Sequence, residues 1–371
     1  MSNLWYKISD STLLDSPSLL VYPERVRHNV RLAIEMVGGN KDRLQPHVKT
    51  CKAARAITIM MEEGINKFKC ATIAEAELLA VSGAAKILLA YQPTVTKIKR
   101  LIKLIQDFPQ IDFSFLIDNI RSASELGKSF AENNLIGNVY LDINVGMNRT
   151  GILPGEATLA LYKFCSEQEG LQIKGLHVYD GHIRNPDFKI KTQEVEEAFL
   201  PVERMITMLE ESKLPLPEVI CGGSPSFSVH CKKENVICSP GTFIYWDHGY
   251  QMLCPEQNFL PAVCIFTRII SKPMPGLVSI DAGHKAMAAE SALDKRLHFL
   301  SDENLKAISQ SEEHMVFQQE GEMEYNIGDE FYCLPYHVCP TVNLYEKIFT
   351  IEKGNITGYW KNVARDRIVN Y

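Results

Sequence analysis

The sequence contains no CxxC pair, no basic block and no long apolar run, and each absence excludes a class of protein. Without basic segments that alternate with aromatic residues, and with a net charge of −6 at pH 7, no nucleic-acid partner is expected. The apolar runs are too short and too interrupted to span a bilayer, so no membrane partner is expected either. The first residues, Met-Ser-Asn-Leu-Trp-Tyr-Lys, lack the pattern of a signal peptide, which predicts a cytoplasmic protein.

The ten cysteines are scattered along the chain, mostly inside apolar segments such as Val-Cys-Ile-Phe at 263–266. This distribution indicates reduced thiols better than a disulfide framework. The 371 residues, with 46% hydrophobic and 23% charged side chains, suffice for two domains or for one large barrel with an appendage.

Short apolar segments alternate with helical patterns through the first two thirds of the chain. Eight of them are predicted strands, at residues 46–50, 67–72, 87–91, 113–117, 139–145, 173–179, 218–221 and 242–245. Strands separated by helices imply a parallel sheet, and eight such strands predict an α/β fold of the (β/α)8 or TIM barrel type. A doubly wound open sheet is the alternative.

After about Met252 the pattern changes to alternating apolar and polar residues, with turn residues between the runs and without long helices. Such alternation predicts a smaller β domain. We therefore predict a barrel over residues 15–250 and a β domain over residues 251–371, to which residues 1–14 add a strand.

Lys49 lies at the carboxyl end of the first predicted barrel strand, where barrel enzymes carry their chemistry. An amine in a partly dry pocket can lose its proton and attack a carbonyl. Taken alone, the segment fits a surface lysine better, since single lysines are common.

Two glycine-containing loops follow the last two predicted strands. Gly222-Gly223-Ser224 offers backbone N–H groups and a hydroxyl, and the loop from Ser239 to Thr242 is its neighbour. Barrels often bind phosphate at these two loops, although each loop alone is also an ordinary turn. Arg149, after the fifth strand, can bind a ring nitrogen or a carboxylate, or can lie in solvent.

His337 and Cys339 are candidate metal ligands, because residues two apart in an extended chain point to the same side. Pro340 favours an extended conformation for Cys339, and an imidazole with a thiolate suits zinc. A buried histidine and cysteine without a metal give the same spacing.

Taken together, these segments resemble the alanine-racemase-like, fold type III pyridoxal-phosphate enzymes, in the branch of D-threonine aldolase and D-serine dehydratase. The residues that carry the resemblance are 46–50 (PHVKT), 145–151 (VGMNRTG), 221–224 (CGGS), 281–283 (DAG) and 337–343 (HVCPTVN).

The resemblance implies a Schiff base between Lys49 and pyridoxal phosphate, with Arg149 near the pyridine nitrogen and Tyr179 lining the cofactor. It implies a divalent metal, zinc or manganese, at His337 and Cys339. It also implies a homodimer that acts on D-amino acids. The remaining cofactor-binding residues on this reading are His47, Gly222, Gly223, Ser224 and Thr242.

Within the branch, the aldolases tend to carry aspartate at the position of Cys339 and use manganese, whereas the dehydratases carry cysteine and use zinc. The following residues, Pro340 to Leu344, resemble bacterial members grouped with the aldolases. We expect aldolase-type cleavage of D-3-hydroxy amino acids, with a D-serine or D-threonine dehydratase as the alternative. An amino-acid racemase and a non-catalytic pyridoxal-phosphate-binding protein are further alternatives.

Overall fold

The computed structural model describes residues 4–301 and 304–371. These residues divide into two compact units. The β unit comprises the described parts of Met1–Val30, Thr50–Ile59 and Thr242–Arg365, and the α/β unit comprises Arg31–Lys49, Met60–Gly241 and Asp366–Tyr371. The two units therefore alternate along the chain, whereas the prediction divided it once near residue 250.

The described residues form sixteen strands and ten α-helices. The strands are β1 Ser18–Val21, β2 Lys67–Cys70, β3 Lys86–Leu89, β4 Asp112–Ile117, β5 Gly137–Ile143, β6 Leu171–Val178, β7 Glu218–Cys221, β8 Ile237–Cys238, β9 Val263–Ser271, β10 Leu277–Ile280, β11 Leu297–Phe299, β12 Leu305–Gln310, β13 Met315–Gln319, β14 Glu330–Pro335, β15 Lys347–Glu352 and β16 Asn355–Lys361. The helices are α1 Pro23–Met36, α2 Ala54–Glu62, α3 Ile73–Val81, α4 Val95–Asp107, α5 Ile120–Ala131, α6 Glu156–Glu167, α7 Phe188–Glu211, α8 Phe227–His230, α9 His248–Leu253 and α10 Val338–Leu344.

In the α/β unit, β2 to β8 form a curled parallel sheet in which each strand pairs with the next along the chain. Helices connect most of these strands, as parallel pairing requires. Inside the curl, Leu88, Leu116, Tyr140 and Ile220 pack together. The structure confirms the six predicted strands from residue 67 to residue 221, which overlap β2 to β7.

The first and the last of the eight predicted strands are wrong, so the TIM barrel is not fully closed. Residues 46–50 form no strand, because Pro46 has no N–H to donate and the chain turns at residues 48–50. Residues 44–47 instead make two single parallel bridges, from Leu44 to Cys238 and from His47 to Lys69.

At the other end of the sheet, Thr242–Ile244 is a 3-10 helix, and the last strand, β8, comes earlier in the chain. The cause is local, since the carbonyl of Thr242 accepts hydrogen bonds from the N–H groups of Tyr245 and Trp246 in a helical turn.

The β unit contains a nine-stranded sheet with the order β12-β13-β10-β9-β1-β15-β16, while β14 pairs with β9 and β11. It confirms the predicted β structure after residue 252, but it also includes β1, which pairs with β9 and β15. Leu20, Phe266 and Tyr332 belong to its core.

The strand predicted within residues 1–14 is absent from residues 4–14, and residues 1–3 lie outside the described part. There the N–H of Ile8 donates to the hydroxyl of Tyr332 at 3.2 Å, and a backbone bond from Ser9 to the carbonyl of Gly354 at 2.7 Å does not extend into a strand. Among the helices that the structure describes, none is long and apolar enough to cross a membrane.

Candidate active site

A cavity of about 610 Å³ in the α/β unit opens around the carboxyl ends of β2 to β6. It brings together four of the predicted cofactor-binding residues, His47, Lys49, Arg149 and Tyr179. The other polar residues that line it are Lys69, Tyr91, Gln92, Thr94, Asp118, Asp142, Thr150 and His177. Gly222, Gly223 and Ser224 are not part of this lining.

Lys49 follows the segment that bridges β8 and β2. The N–H of His47 donates to the carbonyl of Pro240 at 2.9 Å, and the N–H of Val48 donates to that of Lys69 at 2.9 Å. The backbone N–H of Lys49 donates to Nδ1 of His47 at 3.2 Å. Lys49 itself is exposed, so within this chain it does not lie in a dry pocket.

A second lysine in the cavity, Lys69 on β2, is buried and begins a chain of hydrogen bonds. Its Nζ donates to Nε2 of His177 at 3.3 Å, and Nδ1 of His177 donates to Oδ1 of Asp142 at 2.8 Å. The hydroxyl of Thr150 donates to Oδ2 of the same carboxylate at 2.7 Å.

The pKa values in this chain follow from burial and from the neighbouring charges. Burial, and then the charge of Lys49, lowers the pKa of Lys69 to about 7. Burial and the charge of Lys69 lower the pKa of His177, although Asp142 opposes them. Burial by itself raises the pKa of Asp142, but the hydrogen bonds from His177 and Thr150 prevail and lower it. The arrangement therefore favours a neutral imidazole between a carboxylate and an amine.

Arg149 and Tyr179 are in contact at the rim, where the guanidinium carbon lies 4.8 Å from the centroid of the tyrosine ring. The loop that carries Arg149 is fixed by its neighbours, because the N–H of Gly151 donates to Oδ2 of Asp118 at 3.2 Å. The arginine can thus present a fixed positive charge to a ligand in the cavity.

The loop after β7 approaches Tyr179 closely. A Cβ atom on Gly223 would lie 2.9 Å from Cε2 of that ring, and Gly222 has a φ of +72°, which favours glycine. The hydroxyl of Ser224 accepts a hydrogen bond from the N–H of Gly241 at 3.2 Å. The loop thus brings backbone N–H groups and a hydroxyl close together, which is the composition of the predicted phosphate site.

A buried network that the sequence did not reveal supports this loop. The hydroxyl of Ser226 accepts from the N–H of Gly223 at 3.3 Å and donates to Oδ1 of Asp180 at 2.6 Å. Nε2 of His230 donates to Oδ2 of Asp180 at 2.7 Å. Burial raises the pKa of Asp180, but the hydrogen bonds from His230 and Ser226 outweigh it, and the pKa lies below its ordinary value.

In the β unit, Cys339 lies in the first turn of α10, so the extended geometry predicted for it is wrong, while His337, just before the helix, is extended. A proline is tolerated in the first turn, where backbone N–H groups have no partner within the helix. Cys339 is the only one of the ten cysteines that is not fully buried, and all ten lie in the described ranges. Its Sγ lies 3.0 Å from the hydroxyl of Thr50 and 3.6 Å from that of Thr242.

Nδ1 of His337 donates to Oε1 of Glu290 at 2.5 Å, a contact that the sequence analysis missed. Burial lowers the pKa of His337, but Cys339, Glu290 and Asp247 together raise it to about 9. Within residues 4–301 and 304–371, no group of three or more His, Cys, Asp or Glu side chains is arranged to hold a metal ion.

Two families of proteins match this chain. The family described as alanine racemase, N-terminal domain, matches residues 21–248, and the one described as "Putative serine dehydratase domain" matches residues 262–351.

The similarity to individual relatives covers nearly the whole chain. The 3-hydroxy-D-aspartate aldolase of Paracoccus denitrificans (strain Pd 1222) is 22% identical over 372 residues, which cover 96% of this chain and 94% of the relative. The D-threonine aldolase of an Arthrobacter species is 22% identical over 357 residues, covering 95% and 93%. The crystal structure of D-threonine aldolase from Filomicrobium marinum superposes with a TM-score of 0.87 at 23% identity, covering 95% of this chain and 96% of that one. The last comparison shows a shared fold.

Proposed function

The chain belongs to the alanine racemase N-terminal domain family, and from this premise we propose that it is a pyridoxal-phosphate-dependent lyase of D-3-hydroxy amino acids. One observation carries the proposal: Lys49 lines a single cavity with His47, Arg149 and Tyr179, inside the segment that the family model matches. The relatives named D-threonine aldolase and 3-hydroxy-D-aspartate aldolase support it.

The residues of the α/β unit fit the cofactor. Lys49 supplies the amine that links to it, and Arg149 supplies a fixed positive charge. Ser224 and the loop around Gly223 would bind its phosphate; the N–H groups of Gly223 and Gly241 now donate to the hydroxyls of Ser226 and Ser224 and would exchange these partners for the phosphate. When bound, pyridoxal phosphate acts as an electron sink for a bond at the substrate Cα atom. The residues of the protein determine which bond lies in the reactive orientation. Tyr179 lines the cavity, where it would pack against the pyridine ring of the cofactor.

For the metal we propose His337 and Cys339, whose imidazole and thiol suit zinc, with manganese as the second candidate. Glu290 fixes the ring of His337 through Nδ1, which leaves Nε2 for the metal. Two protein ligands fit a catalytic ion, because a catalytic site keeps open positions. An ion held there would supply Lewis-acid chemistry for a hydroxyl group of the substrate.

We propose retro-aldol cleavage to glycine and an aldehyde as the first reaction. The dehydratase reaction, which releases ammonia and a 2-oxo acid, is the second candidate because Cys339 is the residue that the dehydratases of the branch carry. The match of residues 262–351 to the serine dehydratase domain family supports the same candidate.

Further parts of the proposal concern architecture and assembly. We propose that residues 44–48, which bridge β8 and β2, take the place of the eighth strand of a TIM barrel. We also propose that a β domain begins near residue 251. We further propose a cytoplasmic homodimer that binds neither nucleic acid nor membrane. Sedimentation of the purified protein tests the dimer.

The decisive experiment supplies D-threonine or D-serine together with pyridoxal phosphate and zinc or manganese. Acetaldehyde and glycine from D-threonine identify an aldolase, whereas 2-oxobutyrate or pyruvate with ammonia identifies a dehydratase. L-Threonine and L-serine serve as controls and should remain intact. Borohydride reduction followed by peptide mapping should label Lys49. Full activity of Cys339→Ala, with exchange of the Cα hydrogen and inversion, would instead indicate a racemase.

A further inference from the structure

Lys69 is a buried amine in the same cavity as Lys49, and the proposed function gives it no role. It lies on β2 and is only 2% exposed, whereas Lys49 is exposed. Its neighbours on the strand, Phe68 and Cys70, are also buried. A lysine at such a position is rare in folded proteins unless a partner compensates its charge.

No carboxylate in the part of the chain that the structure describes lies within ion-pair distance of the Lys69 amine. Its side-chain hydrogen bond is to Nε2 of His177, which is an acceptor because Nδ1 donates to Asp142. This bond fixes the position of the amine and leaves its other N–H donors unused. Burial and then the charge of Lys49 lower the pKa of the amine to about 7, although Asp142 and Asp180 oppose them, as expected of a buried ammonium that has no carboxylate in direct contact.

The cavity carries an excess of positive charge. Lys49, Lys69 and Arg149 line it against two carboxylates, Asp118 and Asp142. Both carboxylates already accept hydrogen bonds from neighbouring residues. An anionic ligand could therefore bind to the cations of this cavity. The two carboxylates would oppose it less, because both already accept hydrogen bonds.

We propose that Lys69 binds an anionic oxygen of the ligands in this cavity, either the α-carboxylate of the D-amino acid or the phenolate of pyridoxal phosphate. The inference rests on the proposed function, since it takes the ligands from there. His177 and Asp142 hold the amine in place, and the bound anion supplies the counter-ion that the protein lacks. The two oxygens share one chemistry, and the test distinguishes them.

The experiment compares the full-length wild-type protein with Lys69→Met, which removes the charge, and Lys69→Arg, which keeps it. Lys86→Met is the matched control, because Lys86 lies on the neighbouring strand β3, is about half exposed and does not line the cavity. Two dissociation constants are measured by absorbance, one for pyridoxal phosphate and one for D-alanine added to the cofactor-loaded protein. D-Alanine has the carboxylate but no β-hydroxyl, so it cannot undergo the retro-aldol cleavage.

If the carboxylate is the ligand, Lys69→Met weakens D-alanine binding about 10- to 100-fold and leaves cofactor binding unchanged, since a charge-assisted hydrogen bond is lost. If the phenolate is the ligand, cofactor binding weakens by a similar factor and the absorption maximum of the bound cofactor shifts. In either case Lys69→Arg recovers part of the loss, and Lys86→Met binds both ligands like the wild type.

The inference is overturned if Lys69→Met binds both ligands within about twofold of the wild type. It is also overturned if Lys69→Met and Lys69→Gln fail to fold, as judged by circular dichroism, because the amine would then be structural. Failure of the proposed function is seen separately: D-threonine and D-serine would stay intact with the wild type, while the two titrations would still test Lys69.

Discussion

Substituting Lys69 by methionine should make the stability of the cofactor-free protein depend less steeply on pH. The ordinary pKa of a lysine is 10.5, and in the folded protein that of Lys69 is about 7. Between these two values the unfolded chain binds more protons than the folded one at this site. The free energy of unfolding of the wild type therefore rises with pH across that window, and methionine, which does not titrate, removes this contribution.

The size of the effect follows from the pKa shift. Each pH unit inside the window changes the free energy of unfolding by about 1.4 kcal/mol when the two states differ by a full proton. From about pH 7.5 to about pH 9.5 the stability advantage of Lys69→Met over the wild type should shrink by roughly 2 to 3 kcal/mol. Any difference in packing between the two side chains does not depend on pH, so the slope isolates the charge.

The measurement is urea unfolding of the cofactor-free proteins at three pH values, followed by far-ultraviolet circular dichroism. Lys86→Met serves as the control for the loss of a lysine side chain, because Lys86 lies on the neighbouring strand β3 and is about half exposed. A flat difference for Lys69→Met, or an advantage that grows with pH, would refute the view that Lys69 is a buried cation without a counter-ion.

Three further perturbations test the loop and the metal ligands. Gly223→Ala places a Cβ atom 2.9 Å from the Tyr179 ring, so it should weaken pyridoxal-phosphate binding by about 1 to 3 kcal/mol; in a Tyr179→Ala background it should have almost no effect. Asp180→Asn leaves His230 without its buried carboxylate and should lower stability by about 3 kcal/mol in thermal unfolding, with a parallel loss of cofactor affinity. Cys339→Ala should lose bound zinc, measured by atomic absorption, and a chelator applied to the wild type should abolish cleavage of D-threonine while the absorbance of the bound cofactor persists. Retention of zinc by Cys339→Ala would contradict the assigned ligand.

Much of the α/β unit could be predicted because its strands are short apolar segments separated by helical patterns. The errors lie where pairing depends on distant residues. The N–H of Gln45 donates to the carbonyl of Cys238, almost two hundred positions later, and no local pattern records that contact. Similarly, β1 is as apolar as a barrel strand, yet its partners are β9 and β15.

The residues of the candidate site also fall into a group that could be predicted from local patterns and a group that could not. His47, Lys49, Arg149 and Tyr179 stand in segments with a recognisable pattern, and the structure brings these four into one cavity. The chain from Lys69 through His177 to Asp142 went unnoticed, because the three residues lie on three different strands and no local pattern connects them. The available signal was Lys69 itself, which lies in a predicted strand between the apolar residues Phe68 and Cys70. Because side chains alternate along a strand, Lys69 must point to the face opposite to that of these two residues.

The position of β1 between β9 and β15 has a consequence for the order of events on the ribosome. Ser18–Val21 is synthesised before both of its partner strands, which end at residues 271 and 352. The seven strands from β2 to β8 are complete by residue 238, so their sheet can form while Ser18–Val21 still has no partner. During translation this apolar segment therefore stays without a strand partner until β9 and β15 have been synthesised, and a chaperone that covers it in the meantime would protect it from aggregation.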